Sequence, residues 1–168
     1  MAGIIGIGNA PCSWGILEFN VEGKTPGYEQ VLDEMVASEY AGTELGLWGF
    51  MPTEPDELKP VLESRNLALL GAFLPVALGN DEALHPGRQA ALKIARLLSA
   101  IGGETPVIVL SDENGTHPIR TQNAGRILPH MAFSDTQWEI AAHTANQIAL
   151  SVYEETGLRT VFHPHCAG

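Results

Sequence analysis

Five short apolar runs recur along this chain, and the stretches between them carry apolar residues at helical spacing. This alternation constrains the fold more than any other feature. Strands that are apolar almost throughout must be covered on both faces, and intervening helices do this in a parallel sheet with right-handed crossovers.

The runs are "IIGIG" (Ile4–Gly8), "TELGLW" (Thr43–Trp48), "LALLGAFL" (Leu67–Leu74), "PVIVLS" (Pro106–Ser111) and "RTVFH" (Arg159–His163). Between them, Val31, Leu32, Met35 and Val36 form a helical stripe that begins after Tyr28. "TEPDELKPVLES" offers Thr53 as a helix cap, with Pro60 predicting a late start or a kink. Leu92, Ala95, Leu98 and Ile101 predict a helix over Gln89–Ile101. Trp138, Ala141, Ala145, Ile148, Ala149 and Val152 predict another, stopped at Gly157. The order is thus β-α-β-α-β-α-β-α-β.

A closed barrel and an open doubly wound sheet both fit that order. Links from helix to strand are short: Tyr40–Gly42, Asn66, Gly102–Thr105 and Gly157–Leu158. Links from strand to helix are longer: Asn9–Gly27, Gly49–Pro52, Pro75–Asp81 and Asp112–Ser134. Both architectures bind ligands at the strand C-terminal ends, so the long links locate a site there without choosing the fold. The open sheet calls for a dinucleotide fingerprint. Gly6-Ile7-Gly8 starts like one, but Pro11 stands at its last position and a long loop, rather than a helix, follows.

Charge narrows the ligand. The net charge is −11 with nine Lys and Arg residues, which disfavours nucleic acid and anionic lipid as partners. The glycine-broken start lacks the basic region of a signal peptide, and no apolar run is long enough to cross a bilayer. The expectation is a cytoplasmic protein acting on a small molecule. Cys12 and Cys166 make no disulfide framework and read as packing residues.

His163 and His165 flank Pro164, two residues apart, so a continuing strand turns both to one face. Two imidazoles there suit substrate contact, proton transfer or metal binding; satisfying a backbone carbonyl is the competing role. Glu44 lies within an apolar run, where a carboxylate needs a partner: a catalytic role and a structural pair both answer. Alternation places it with Gly46 and Trp48. Trp14 and Trp48 follow strands, where an indole can wall a sugar pocket or simply pack. Asp112, Glu113 and His117 sit on the long loop after the fourth run, within reach of a site or merely solvated.

Taken together, "NAPCSWG", "AGTELG", "LALLGAFLPVAL" and "FHPHCAG" resemble the inosose dehydratase-like branch of the xylose-isomerase-like TIM barrels, which are sugar isomerases, epimerases and dehydratases. The resemblance runs through the whole chain in order. It implies an eight-stranded barrel of about 250 residues or more, of which this chain, read as a single domain over residues 1–168, supplies about the first five strands. It implies a sugar or cyclitol substrate and proton abstraction next to a carbonyl. Glu44, His163 and His165 would be catalytic, and Trp14, Trp48 and the same histidines would contact substrate. A divalent metal (Mn, Mg, Co or Zn) would belong to the full-length protein, with carboxylate ligands expected beyond Gly168, so that this chain binds none tightly. The same superfamily holds DNA-repair endonucleases, which the charge disfavours. The competing expectation is a non-catalytic remnant or interaction module. Five strands leave two open edges, so self-association or a missing C-terminal half is expected.

Overall fold

The computed structural model describes residues 6–17, 25–103 and 106–165. Its strands are β1 (Gly8–Asn9), β2 (Gly42–Glu44), β3 (Ala68–Val76), β4 (Val107–Asp112) and β5 (Arg159–Phe162). Its helices are α1 (Tyr28–Ala37), α2 (Pro55–Glu63), α3 (Leu84–Ile101), α4 (Pro118–Gln122) and α5 (Asp135–Thr156). The strands form one parallel sheet in the order β1-β2-β3-β4-β5, so each lies beside its predecessor in sequence. This is the α/β arrangement expected of successive right-handed βα units. Ile4 and Ile5 of the expected first strand, and Cys166, lie outside the described residues.

Chain contacts divide the molecule into two compact units, residues 1–73 with 96–107, and residues 74–95 with 108–168. In the first, β1 pairs β2 through Gly8–Gly42 and Asn9–Thr43. β2 pairs β3 through Thr43–Leu69 and then Glu44–Gly71, a register shift of one residue. The core of this unit includes Val31, Leu32, Met35, Leu58 and Leu62, the inward stripes of α1 and α2. In the second unit Ile108, Leu110, Ile148 and Val152 are buried almost completely.

Several boundaries differ from the sequence reading. β2 stops at Glu44 instead of running to Trp48, because Gly46 (φ +73°) takes the chain out of the extended region. Trp48 therefore lies in a turn, and the alternation that paired it with Glu44 does not apply. α2 is capped at Glu54 without a side-chain bond, not at Thr53. Pro55 at its first position has φ preset for a helix, and Pro60 is accommodated inside a helix that starts upstream of it. α3 begins at Leu84 rather than Gln89. Pro86 falls in the first turn, where its missing N–H would have had no helical partner.

α5 ends where the sequence reading stops it, at Gly157, and its start is set by a cap that reading did not name. Ser134 and Gln137 form a reciprocal capping box, and Gly157 ends the helix in the left-handed region at φ 72°. We expect Ser134→Ala and Gly157→Ala each to cost about 1 kcal/mol, read from urea midpoints. Midpoints equal to the parent's would show that α5 is held by packing alone.

Candidate functional site

In the first unit, the strand ends carry Asn9, Glu44 and the turns after them. Asn9 Oδ1 accepts from the Ala10 amide (2.8 Å) and from Ser13 Oγ (2.9 Å), fixing the short helical turn Pro11–Trp14. Trp14 is half-buried, and its Nε1 donates to Glu34 Oε2 of α1 at 2.6 Å. Glu44 and Trp48 are likewise half-buried. Thr43 beside Glu44 is fully buried, its hydroxyl donating to the Glu44 carbonyl at 2.8 Å.

Glu34 also accepts from Gln30 Nε2 at 2.9 Å. The bond from Gln30, then that from Trp14, hold its carboxyl below the ordinary value of 4.5. A carboxyl with a depressed value stabilises the fold above the ordinary value, and that contribution is lost as pH falls through the depressed one. Acid titration of the unfolding midpoint should therefore fall less steeply below pH 4.5 for Glu34→Gln than for the parent. Parallel curves would mean that the two bonds do not persist in solution.

In the second unit, the ends of β3, β4 and β5 meet the start of α5 around a cavity of about 270 Å³. Its apolar walls include Leu78, Phe133, Trp138, Ala141 and Phe162. Its polar groups are Asp112, Arg120 and His165. Asp112 closes β4, is half-buried, and accepts the Leu78 amide at 2.8 Å. That bond ties the turn after β3 to the end of β4.

β5 ends at Phe162, yet the His163 amide still donates to the Leu110 carbonyl at 2.8 Å, continuing the pairing with β4 one residue further. This holds His163 and, across Pro164, His165 at the strand end. The two imidazoles stand edge to face with ring centroids 4.7 Å apart. His163 is exposed, while His165 is half-buried and lines the cavity. The pair expected from its spacing is thus brought together, although the strand itself stops short.

Trp138 differs from its expected place. It is 61% exposed, whereas Ala141, Thr144, Ile148 and Val152 form the buried face of α5. Standing at the fourth helical position, Trp138 lies before the helix reaches the core. It packs edge to face on Phe133, the residue before the cap, with centroids 5.4 Å apart. This is a hydrophobic staple, and "FSDTQW" carried its signal in the sequence. The guanidinium of Arg120 lies 4.9 Å from the Phe133 centroid, a cation–π stack that no local spacing announces. His117 accepts the Arg120 amide through Nδ1 at 3.4 Å and so caps α4; it does not line this cavity.

The site offers two imidazoles for proton transfer and aromatic faces for a carbon skeleton. Among the described residues, no three His, Cys, Asp or Glu side chains form a group that could hold a metal ion. The resemblance puts the carboxylate ligands of its divalent metal beyond Gly168, outside these residues. No helix among them is long and apolar enough to cross a membrane.

No protein-family model matches the sequence. Among curated proteins, the chain is 27% identical to an inosose dehydratase of Lacticaseibacillus casei over 96% of its own length and 52% of that protein's. It is 28% identical to an inosose dehydratase of Lactiplantibacillus plantarum over 94% of its length and 50% of that protein's. It thus spans about half the length of the curated relatives it matches. Among solved structures, the 3-keto-D-glucoside 4-epimerase YcjR of E. coli superposes with a TM-score of 0.62 at 15% identity, over 95% of this chain and 56% of that one. Similar along nearly all its length to inosose dehydratases, and sharing the fold of a sugar epimerase, the chain bears out its resemblance to the inosose dehydratase-like branch of the xylose-isomerase-like TIM barrels.

Proposed function

We propose that this chain carries part of the active site of a sugar or cyclitol isomerase, epimerase or dehydratase that removes a proton next to a carbonyl. The observation that carries the reading is the imidazole pair at the end of β5, 4.7 Å between centroids, beside a cavity with aromatic walls. The named sequence relatives, inosose dehydratases, support the substrate class. Fold likeness alone would not.

The chemistry follows from what two adjacent imidazoles can do near neutral pH. One, neutral, takes the proton from the carbon beside the substrate carbonyl, leaving an enediolate. The other, protonated, returns a proton. Delivered to the former carbonyl carbon, with the hydroxyl proton passing to its oxygen, that proton gives an isomer; an epimer needs a proton from the opposite face, supplied by a group other than this pair. Delivered to a departing β-hydroxyl, it releases water and leaves an unsaturated ketone. Isomerisation and loss of the β-hydroxyl are served by a base and an acid close together, and the edge-to-face contact supplies that proximity. Trp138, Phe133 and Phe162 would hold the carbon skeleton and keep water away. The resemblance also assigns substrate contact to Glu44, Trp14 and Trp48, and to Glu44 a role as an acid or base.

Incubating the protein with inosose in deuterium oxide tests this directly. Proton NMR should show loss of signal from the carbon beside the ketone, and His165→Ala should suppress it. No exchange with inosose or a 3-keto-glucoside would overturn the reading and favour a non-catalytic role.

A further inference from the structure

The stretch from Asn114 to Ser134 contains no acidic residue, in a chain whose net charge is −11. It carries His117, Arg120, Arg126 and His130. A chain this acidic repels anions over most of its surface, so a local concentration of basic groups alters which ligand can approach there. This stretch also forms one side of the site, since Arg120 and Phe133 line the aromatic cavity.

The same two residues line a second cavity of about 370 Å³, together with His117, His130 and Gln137. Among the described residues, no carboxylate lines it. The aromatic cavity, by contrast, has Asp112 in its wall, which opposes a negative charge. Arg120 thus stands where two adjoining spaces meet, one aromatic and one basic. Its guanidinium is stacked on Phe133 at 4.9 Å, which fixes the plane of a planar, permanently charged donor group suited to bidentate contact with an oxyanion.

Resting on the proposed sugar or cyclitol reading, we infer that the ligand of this site bears an anionic group, a carboxylate or a phosphate monoester. Arg120 holds that group on the side of His117 and His130, and the neutral carbon skeleton occupies the aromatic cavity. Glu113 and Asp135 bound the basic stretch in sequence but line neither cavity. Arg120 is then a specificity-determining residue, choosing anionic over neutral substrates of similar shape.

Calorimetric titration of the whole chain tests this with matched probes: myo-inositol against inositol 1-phosphate, and glucose against glucuronate, with inorganic phosphate alone as a further probe. Each anionic probe preferred should bind about 10- to 100-fold more tightly than its neutral partner, the range for a hydrogen bond to a charged group. The tighter of the two anions identifies the group. Arg120→Gln should erase that preference, weakening the anionic probes far more than their neutral partners, while Arg120→Lys keeps part of it. Circular dichroism establishes that both variants are folded. Equal binding of neutral and anionic partners, an equal loss of both in Arg120→Gln, inorganic phosphate binding as tightly as inositol phosphate, or no binding of any probe would each overturn the inference. The readout is binding, not turnover. An intact anion preference without deuterium exchange would therefore sink the proposed reaction and spare the anion site.

Discussion

Replacing Gly71 by alanine should destabilise the protein by about 3 kcal/mol, near the upper end for overpacking a core. Gly71 lies in β3, opposite Glu44, just past the register shift between β2 and β3. Its carbonyl accepts the Leu45 amide at 2.9 Å, and its Cα faces Val107 on the other side. A methyl group there would come within 2.6 Å of the Val107 carbonyl oxygen and 3.3 Å of its Cγ2. The first of these is a backbone atom and cannot rotate away, so β3 or β4 must shift. Gly27→Ala is the control, since a Cβ there meets nothing within 4 Å. It should stay within about 1 kcal/mol of the parent, as for an exposed helix-cap exchange. Urea unfolding of both variants checks this. Equal midpoints would mean that the strands are not packed so closely in solution.

The second large effect concerns turnover. On the proposed reading, His165→Ala should lower kcat/KM about 10²- to 10⁴-fold, the usual contribution of a positioned acid or base. The unfolding midpoint should move by no more than about 1 kcal/mol, because His165 lies past the end of β5 rather than in the core. His163→Ala should lose activity comparably, and the double variant little more than either, since two groups that act as a unit are not additive. Unchanged kcat/KM with a greatly lowered midpoint would make the imidazole contact a structural one.

The order of elements was legible in the sequence because each signal is local. "LALLGAFL" and "PVIVLS" are long enough apolar runs, and bounded clearly enough, to mark β3 and β4 to within two residues. Gly157 marks the end of α5 because a helix stop depends on the residues next to the terminus. The spacing of His163 and His165 put them at one strand end, where the structure has them in contact. The resemblance carried by four short motifs pointed to the same branch as the comparisons with whole proteins.

What the tertiary structure decided depended on neighbours distant in sequence. Trp138 matched the helical period of α5 and still lies outside its buried face, because period reports a direction from the helix axis and not whether core exists at that height. Glu44 and Trp48 shared an alternation that ended when Gly46 turned the chain, a choice tied to the close approach of Pro11, whose Cγ lies 3.0 Å from where a Cβ would be. The sequence left Asp112 either within reach of a site or solvated; its bond to the Leu78 amide, 34 positions away, depends on tertiary structure. Arg120 carried no signal at all, because a cation finds the face of Phe133 through the folding of the whole stretch between them. The sequence by itself thus determined the succession of strands and helices and the family likeness, since both rest on short-range pattern. Which side chains share a cavity was left to tertiary packing, because close approach between distant segments depends on the surfaces of both.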